Sequence, residues 1–189
     1  ESNNGIVIET NLTSTTGELE FFADADGGGG SSFTITSGVT LTSAGAMELA
    51  VKTATISAAG SLNLSAVKGI TFDSSLTSSG ALTINADSDG DGTGILTVVD
   101  SKSINSSGNA ITSTFQTISL GSGSTINAGV GALTNNFTQG FLSTNETAVA
   151  KFTGGSLTTN VDGDITMNAF AASTTSNIAG RITLNSTSG

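Results

Sequence analysis

The chain has 189 residues, a formal net charge of −10 and no Cys, His, Trp, Tyr or Pro. Without Cys and His it lacks thiol nucleophiles, disulfides, the commonest general base and the commonest transition-metal ligand, so most hydrolase and thiolate sites are excluded. With only five cations on so acidic a chain, nucleic acid and anionic lipid are disfavoured as partners.

Short segments of alternating apolar and polar residues follow one another along the chain, and Gly, Ser, Asn or Asp bounds each of them. This period-two pattern, rich in Thr, Val, Ile, Leu and Phe, predicts strands rather than helices. Residues 43–54, SAGAMELAVKTA, have good helix propensity, but we predict a strand there because the repeat described below requires one. In chain order the predicted strands lie in GIVIETNL, SFTITSGVTLTS, KTATIS, GSLNLSA, GITFDS, GALTINA, ILTVVD, FQTISL, GSLTTN, GDITMNA and GRITLNS.

Two periodicities indicate an internal repeat. Residues 17–35, GELEFFADADGGGGSSFTI, align without gaps on residues 80–98, GALTINADSDGDGTGILTV, at an offset of 80 − 17 = 63. Inside this interval the motif Gly-x-apolar-x-apolar recurs at positions 17, 38, 60 and 80, with steps of 21, 22 and 20 residues. A unit of about 21 residues with two or three short strands is typical of a β-solenoid, in which stacked turns share one core. The sequence therefore predicts an all-β solenoid of nine turns (189/21).

The alternation also predicts which side chains point into the core. We expect a single domain over residues 1–189, with an irregular insertion near residues 136–152, where the Gly motif is lost. Outward Thr, Asn and Ser side chains should stack into ladders along the rod. The predicted inward positions are Leu19, Phe21, Val39, Leu41, Leu62, Leu64, Leu82, Ile84, Ile104, Leu157, Ile165, Met167, Ile182 and Leu184.

The motifs GALTINA, GSLNLSA, GDITMNA and GRITLNS, with the acidic extension ADSDGDGTG, resemble the repeats of filamentous-haemagglutinin-type adhesins, autotransporter passengers and other very large bacterial surface proteins. The resemblance implies a right-handed parallel β-helix. It also implies export across the outer membrane and a role at the cell surface as an adhesin, stalk or fibre. On this resemblance the chain is a middle segment of a larger protein.

The acidic loop of the second aligned segment carries the sharpest candidate site. Asp87, Asp89 and Asp91, followed by Gly92, fit the first half of a calcium-binding loop, in which alternate Asp side chains converge on one hard cation. The twelfth position, where such a loop has a bidentate Glu, is Val98. Calcium would therefore need backbone carbonyls and water as further ligands.

The alternative interpretation of this loop is a solvated turn made of Asp, Ser and Gly between two strands. The matching loop of the first aligned segment keeps Asp24 and Asp26 but has Gly28 in place of the third Asp. A loop that tolerates the loss of a ligand favours the turn. Both interpretations stay open from the sequence, which requires no cofactor and makes calcium possible.

Two non-enzymatic functions are compatible with these patterns. The first is a structural or adhesive rod, secreted or at a bacterial surface, that presents binding sites to a host or neighbouring cell, a glycan or a matrix component. The second is a subunit of an extracellular filament in which β-solenoids associate end to end through uncapped edges. No apolar run approaches the ~20 residues of a membrane helix, so we expect no membrane insertion by this segment.

A polysaccharide-active enzyme is a third, weaker interpretation, because some β-helices cleave carbohydrate with paired carboxylates. Glu18 with Glu20, and Asp162 with Asp164, stand two residues apart and would share a strand face. Lys102 is the cation nearest in sequence to the acidic loop. Solvated outward positions explain all of these residues equally well, and we expect no enzymatic activity.

Overall fold

The computed structural model describes residues 1–138 together with the backbone of strands at 151–154, 156–161, 177–178 and 182–186. These parts of the chain form short strands and contain no helix, which confirms the all-β prediction. The strands are β1 Ile6–Ile8, β2 Leu12–Ser14, β3 Leu19–Ala23, β4 Phe33–Ile35, β5 Val39–Ser43, β6 Met47–Val51, β7 Ile56–Ala58, β8 Leu62–Ala66, β9 Ile70–Phe72, β10 Leu76–Ser78, β11 Leu82–Asn85, β12 Ile95–Val98, β13 Ser103–Asn105, β14 Ile111–Phe115, β15 Thr117–Leu120, β16 Thr125–Asn127, β17 Ala132–Phe137, β18 Lys151–Gly154, β19 Ser156–Val161, β20 Asn177–Ile178 and β21 Ile182–Ser186.

Three parallel sheets run along the molecule. Sheet one has the order β1-β4-β7-β10-β13-β16-β18-β20, sheet two β2-β5-β8-β11-β14-β17-β19-β21, and sheet three β3-β6-β9-β12-β15. The chain visits the sheets in this sequence, so each of the first five turns contains three strands. This arrangement is the β-solenoid that the repeat predicts. The stretch with helix propensity is strand β6, because parallel strands β3 and β9 bind it from both sides.

The turns vary in length more than the sequence motif suggests. Paired residues are 20 positions apart between Leu62 and Leu82 and 29 apart between Leu82 and Ile111. The average is about 23, and sheets one and two each contain eight described strands rather than nine. Loops at the corners can lengthen without disturbing the ladders, since only the strands need to match.

The 63-residue alignment is not a repeat of three turns, which corrects the sequence interpretation. Leu19 begins a strand of sheet three, whereas its aligned partner Leu82 begins a strand of sheet two. Three turns within sheet two lead from Leu12 to Ile84, which is 84 − 12 = 72 residues. The alignment therefore detects one strand–acidic loop–strand motif used at two different corners of the solenoid.

The core lies between the three sheets and is filled from alternate strand positions. Leu41, Leu64 and Ile84 follow one another in sheet two, and each is no more than 1% exposed. Burial of each such side chain is worth about 1.5–3 kcal/mol. At the far end of the described core, the Phe115 and Phe137 rings pack edge to face with centroids 4.7 Å apart.

Most of the predicted inward positions within residues 1–138 are confirmed. Leu19 and Phe21 are only partly buried, because they belong to the first turn and are covered on one side. The side chains of Leu157, Ile182 and Leu184, and all of Ile165 and Met167, lie outside the described residues. The buried predicted positions are Val39, Leu41, Leu62, Leu64, Leu82, Ile84 and Ile104.

The predicted insertion near residues 136–152 is described only at its ends. Residues 136–137 belong to β17 and residues 151–152 to β18. These ends pair in register with neighbouring turns. Residues 139–150 lie outside the described part of the chain.

Candidate functional site

The acidic loop is residues 86–94, which link β11 of sheet two to β12 of sheet three. Its two ends meet at Gly94, where a Cβ would stand 2.0 Å from the Ala86 carbonyl oxygen. Only Gly can occupy this position without moving the backbone. The Gly94 carbonyl also accepts a hydrogen bond from the Gln116 N–H of the next turn, at 2.8 Å. The loop is therefore fixed at its base and projects from the solenoid between these two points.

Asp87 is the buried member of the three predicted ligands, with 2% of its surface exposed. Its Oδ2 accepts the Gly92 N–H at 3.2 Å and the hydroxyl of Thr138. Its Oδ1 is buried and has no hydrogen-bond partner. Thr138 follows β17, which lies two strands beyond β11 in sheet two, so this carboxylate bridges the loop to a distant turn.

Asp89 and Asp91 are exposed, and the fold of the loop brings them to Asp87. One carboxylate oxygen of each of the three residues lies within 4.8 Å of the other two. The loop orders itself through short-range hydrogen bonds: Asp89 Oδ1 accepts the Asp91 N–H at 3.3 Å, and Asp91 Oδ1 accepts the Thr93 N–H at 3.0 Å. The three residues that the sequence singles out thus converge, and the identity of a cation there stays a prediction.

The twelfth loop position does not contribute to this cluster. Val98 is a fully buried core residue of strand β12, because the chain re-enters sheet three at Ile95. Gly90 and Gly92 adopt φ values of +68° and +80°, which L-residues other than Gly reach only with strain. The loop therefore shares its first half with a calcium-binding loop and then returns to the solenoid.

The matching loop after β3 uses the same local structure with a different outcome. Asp24 is fully buried, its Oδ1 accepts the Gly29 N–H at 3.2 Å, and its Oδ2 accepts the Thr53 hydroxyl. Both oxygens of this carboxylate are satisfied within the protein. Asp26 Oδ1 accepts the N–H of Gly28 at 3.1 Å. The loop without a third Asp is therefore a complete hydrogen-bonded turn.

Sequence reasoning missed Thr53 and Thr138, which hold the two buried carboxylates. Thr53 lies 29 residues from Asp24, and Thr138 lies 51 residues from Asp87. Each Thr follows closely after a strand of the sheet in which its partner's own strand lies. The register between turns would have identified both residues, but that register depends on loop lengths that vary from turn to turn.

A row of carboxylates occupies the outer face of sheet three, where Glu20 pairs in register with Glu48. Partial burial raises the pKa of Glu48, and the neighbouring charges of Asp73, Glu20 and Glu18 raise it further. The Glu18 and Glu20 pair thus belongs to an acidic surface row. Asp162 and Asp164 lie outside the described residues.

Lys102 lines a groove of about 320 Å³ beside this row. The groove has a partly apolar wall formed by Phe22 and Ala50, and it contains Lys52 and Asp73. The Lys52 ammonium donates to the Ala25 carbonyl at 3.4 Å. The groove combines charges of both signs, and a catalytic role for it stays an untested alternative.

The outer surface of sheet two has a different character, and we call it the Thr/Asn face. Two parallel rows of uncharged polar residues follow the ladder, one strand after another, from β5 to β17. Neighbours within a row are about 4.8 Å apart and the rows about 7 Å apart, from strand geometry. The first row is Thr40, Asn63, Thr83, Thr112 and Thr134, and the second is Thr42, Ser65, Asn85, Thr114 and Asn136.

Comparison with known proteins adds no relative. No family model, no curated protein and no solved structure matches the chain. Within the described residues, no helix is long and apolar enough to cross a membrane. The functional proposals below therefore depend on the residues and their geometry.

Proposed function

We propose that the chain is a structural and adhesive rod of a bacterial cell-surface or extracellular protein, which presents a binding surface along the side of its β-helix. The observation that carries the proposal is the Thr/Asn face. The ladder beneath it is continuous from β2 to β21 in the described strands. Eight strands span about 34 Å at the usual strand spacing, so the face is long enough for an extended ligand.

The chemistry of the Thr/Asn face suits a neutral glycan. Hydroxyl and amide groups both donate and accept hydrogen bonds, as do the hydroxyls of uncharged sugars. Contacts within the face hold its side chains in place, since the Asn63 amide donates to the Thr40 hydroxyl at 3.4 Å. By contrast, the outer face of sheet three carries Glu20 and Glu48, which would oppose an anionic ligand.

The experiment is binding of the purified chain to an array of neutral and anionic glycans. We expect the wild-type chain to bind neutral glycans, and the double variant Thr83→Glu with Thr112→Glu to lose this binding through charge in the middle of the face. Thr77→Glu, an exposed position in β10 of sheet one, is the control and should bind as the wild type does. Absence of glycan binding by the wild type, or equal binding by the sheet-two variant, would contradict the proposal.

A second candidate is a subunit of a self-assembling filament, and the first turn favours it. Leu12 is 36% exposed, while its register partner Leu41 in the next turn is fully buried. A further turn of the same protein or a second copy would cover this edge. Electron microscopy and sedimentation over a range of concentrations test the second case. Rods that stay monomeric at high concentration would rule out self-assembly of this chain.

A further inference from the structure

We propose that the loop at residues 86–94 binds one calcium ion through Asp87, Asp89 and Asp91, and that the ion stabilises the contact between this loop and Thr138. The proposal concerns a metal site and is independent of what the Thr/Asn face binds. Two observations carry it: the convergence of the three carboxylates and the unsatisfied oxygen of Asp87.

The buried oxygen is the first observation. Asp87 Oδ1 is shielded from solvent and no group of the protein donates to it. An unsatisfied buried oxygen of a carboxylate is unfavourable, since it has lost water and gained no partner. A cation bound at the carboxylate would supply the missing interaction.

The spacing of the oxygens is the second observation, and it fits calcium. Calcium binds six to eight oxygens at about 2.3–2.6 Å, so two ligand oxygens on opposite sides of the ion are about 5 Å apart. The three carboxylate oxygens lie within 4.8 Å of one another and could all contact one such ion. Magnesium requires about 2.0–2.1 Å and a nearly ideal octahedron, which demands a tighter and more regular arrangement.

The matching loop after β3 provides a comparison within the same molecule. There Asp24 has both oxygens satisfied by Gly29 and Thr53, and Gly28 stands where the third Asp would be. In the loop at 86–94 the third Asp is present and an oxygen of the buried Asp is left over. The extra acidic residue and the unsatisfied oxygen thus occur together, as expected when an ion completes one loop but not the other.

The ion would act on the contact between distant turns. Asp87 Oδ2 already accepts the Thr138 hydroxyl, so fixing the Asp87 carboxylate also fixes its contact with the end of β17. Gln116, from the intervening turn, binds the base of the same loop. Calcium should therefore raise the stability of the solenoid around these turns and not merely order an exposed loop.

The test is calorimetric titration with calcium chloride, together with thermal unfolding in calcium or in chelator at constant ionic strength. For the wild-type chain we expect one bound ion and, at calcium a hundredfold above its dissociation constant, a Tm higher by about 5–10 °C. Asp91→Gly, which introduces the residue found in the matching loop, and Asp89→Asn should each abolish most of this increase. Both positions are exposed, and far-ultraviolet circular dichroism checks that the variants fold.

Asp26→Asn is the matched control, because it removes the equivalent carboxylate from the loop after β3 and should leave the calcium response unchanged. The proposal is overturned if the wild-type chain takes up no calcium and melts at the same temperature in chelator. It is also overturned if Asp91→Gly and Asp89→Asn respond to calcium as the wild type does, or if Asp26→Asn loses the response.

Discussion

The hydroxyl of Thr138 donates a hydrogen bond to Oδ2 of Asp87 across 51 residues of sequence. The two residues belong to different turns of the solenoid, and the contact exists only because the ladders of sheet two hold β11, β14 and β17 in one register. The same relationship recurs between Thr53 and Asp24. A buried carboxylate that binds a Thr from another turn is thus a device that this chain uses twice.

The first prediction concerns Thr138. Thr138→Val keeps the shape of the side chain and removes the hydroxyl, so Asp87 loses one of its two donors. We expect the free energy of unfolding to fall by about 1–3 kcal/mol, as for other hydrogen bonds to charged groups. Urea denaturation measures the change. Thr134→Val, on the outer face of the same strand, is the control, and an equal loss in both variants would show that the Asp87 contact contributes nothing specific.

The second prediction concerns Gly94 at the base of the acidic loop. Gly94→Ala places a methyl group 2.0 Å from the Ala86 carbonyl oxygen, so the backbone must move. We expect a loss of about 2–4 kcal/mol, in the range of severe overpacking. Gly90→Ala meets no atom within 4 Å and should cost only about 1–2 kcal/mol, from its positive φ. The urea midpoints of the two variants give the order, and a larger loss for Gly90→Ala would contradict the described loop.

The third prediction is a pH dependence that originates at Glu48. Its pKa is raised above the ordinary value of 4.5, so the folded protein binds its proton more tightly than the unfolded chain does. Between the unfolded and the folded pKa, stability therefore decreases as pH rises, and the loss is complete above the folded pKa. Glu48→Gln removes this penalty and should be more stable than the wild type at pH 7.

The advantage of Glu48→Gln should disappear when both proteins are unfolded in urea below pH 4, where Glu48 is protonated in either state. Glu9→Gln removes one negative charge outside the carboxylate row and is the control for net charge. A Glu48→Gln variant that is less stable than the wild type at pH 7 would show that the row is not repulsive.

Several features of this molecule follow from local patterns, and these could be predicted from the sequence. Alternation alone identifies Leu41, Leu64 and Ile84 as core residues, because a period of two places every second side chain on one face. Spacing alone brings Asp87, Asp89 and Asp91 together, because alternate residues of a tight loop converge. Both predictions depend on residues that are near one another in sequence.

Other features depend on how turns stack, and the sequence alone does not specify this. The alignment of Leu19 with Leu82 is correct as a motif and wrong as a structural equivalence, since a strand–loop–strand unit can occupy any corner of a solenoid. Thr138 was not predicted because loops of unequal length shift the register between turns. The Thr/Asn face was expected only in general terms, and its two rows required the pairing of each strand.

The register along sheet two is central to the account, because the Thr/Asn face and the contact between Asp87 and Thr138 both require it. The chain has no Cys, so the double variant Thr40→Cys with Thr134→Cys can carry two spin labels without background. These residues lie four turns apart in one row, which places their Cα atoms about 19 Å apart. Pulsed electron paramagnetic resonance should give one narrow distance distribution near that value, broadened only by the label linkers. A broad distribution, or one centred well beyond 30 Å, would contradict the stacked register.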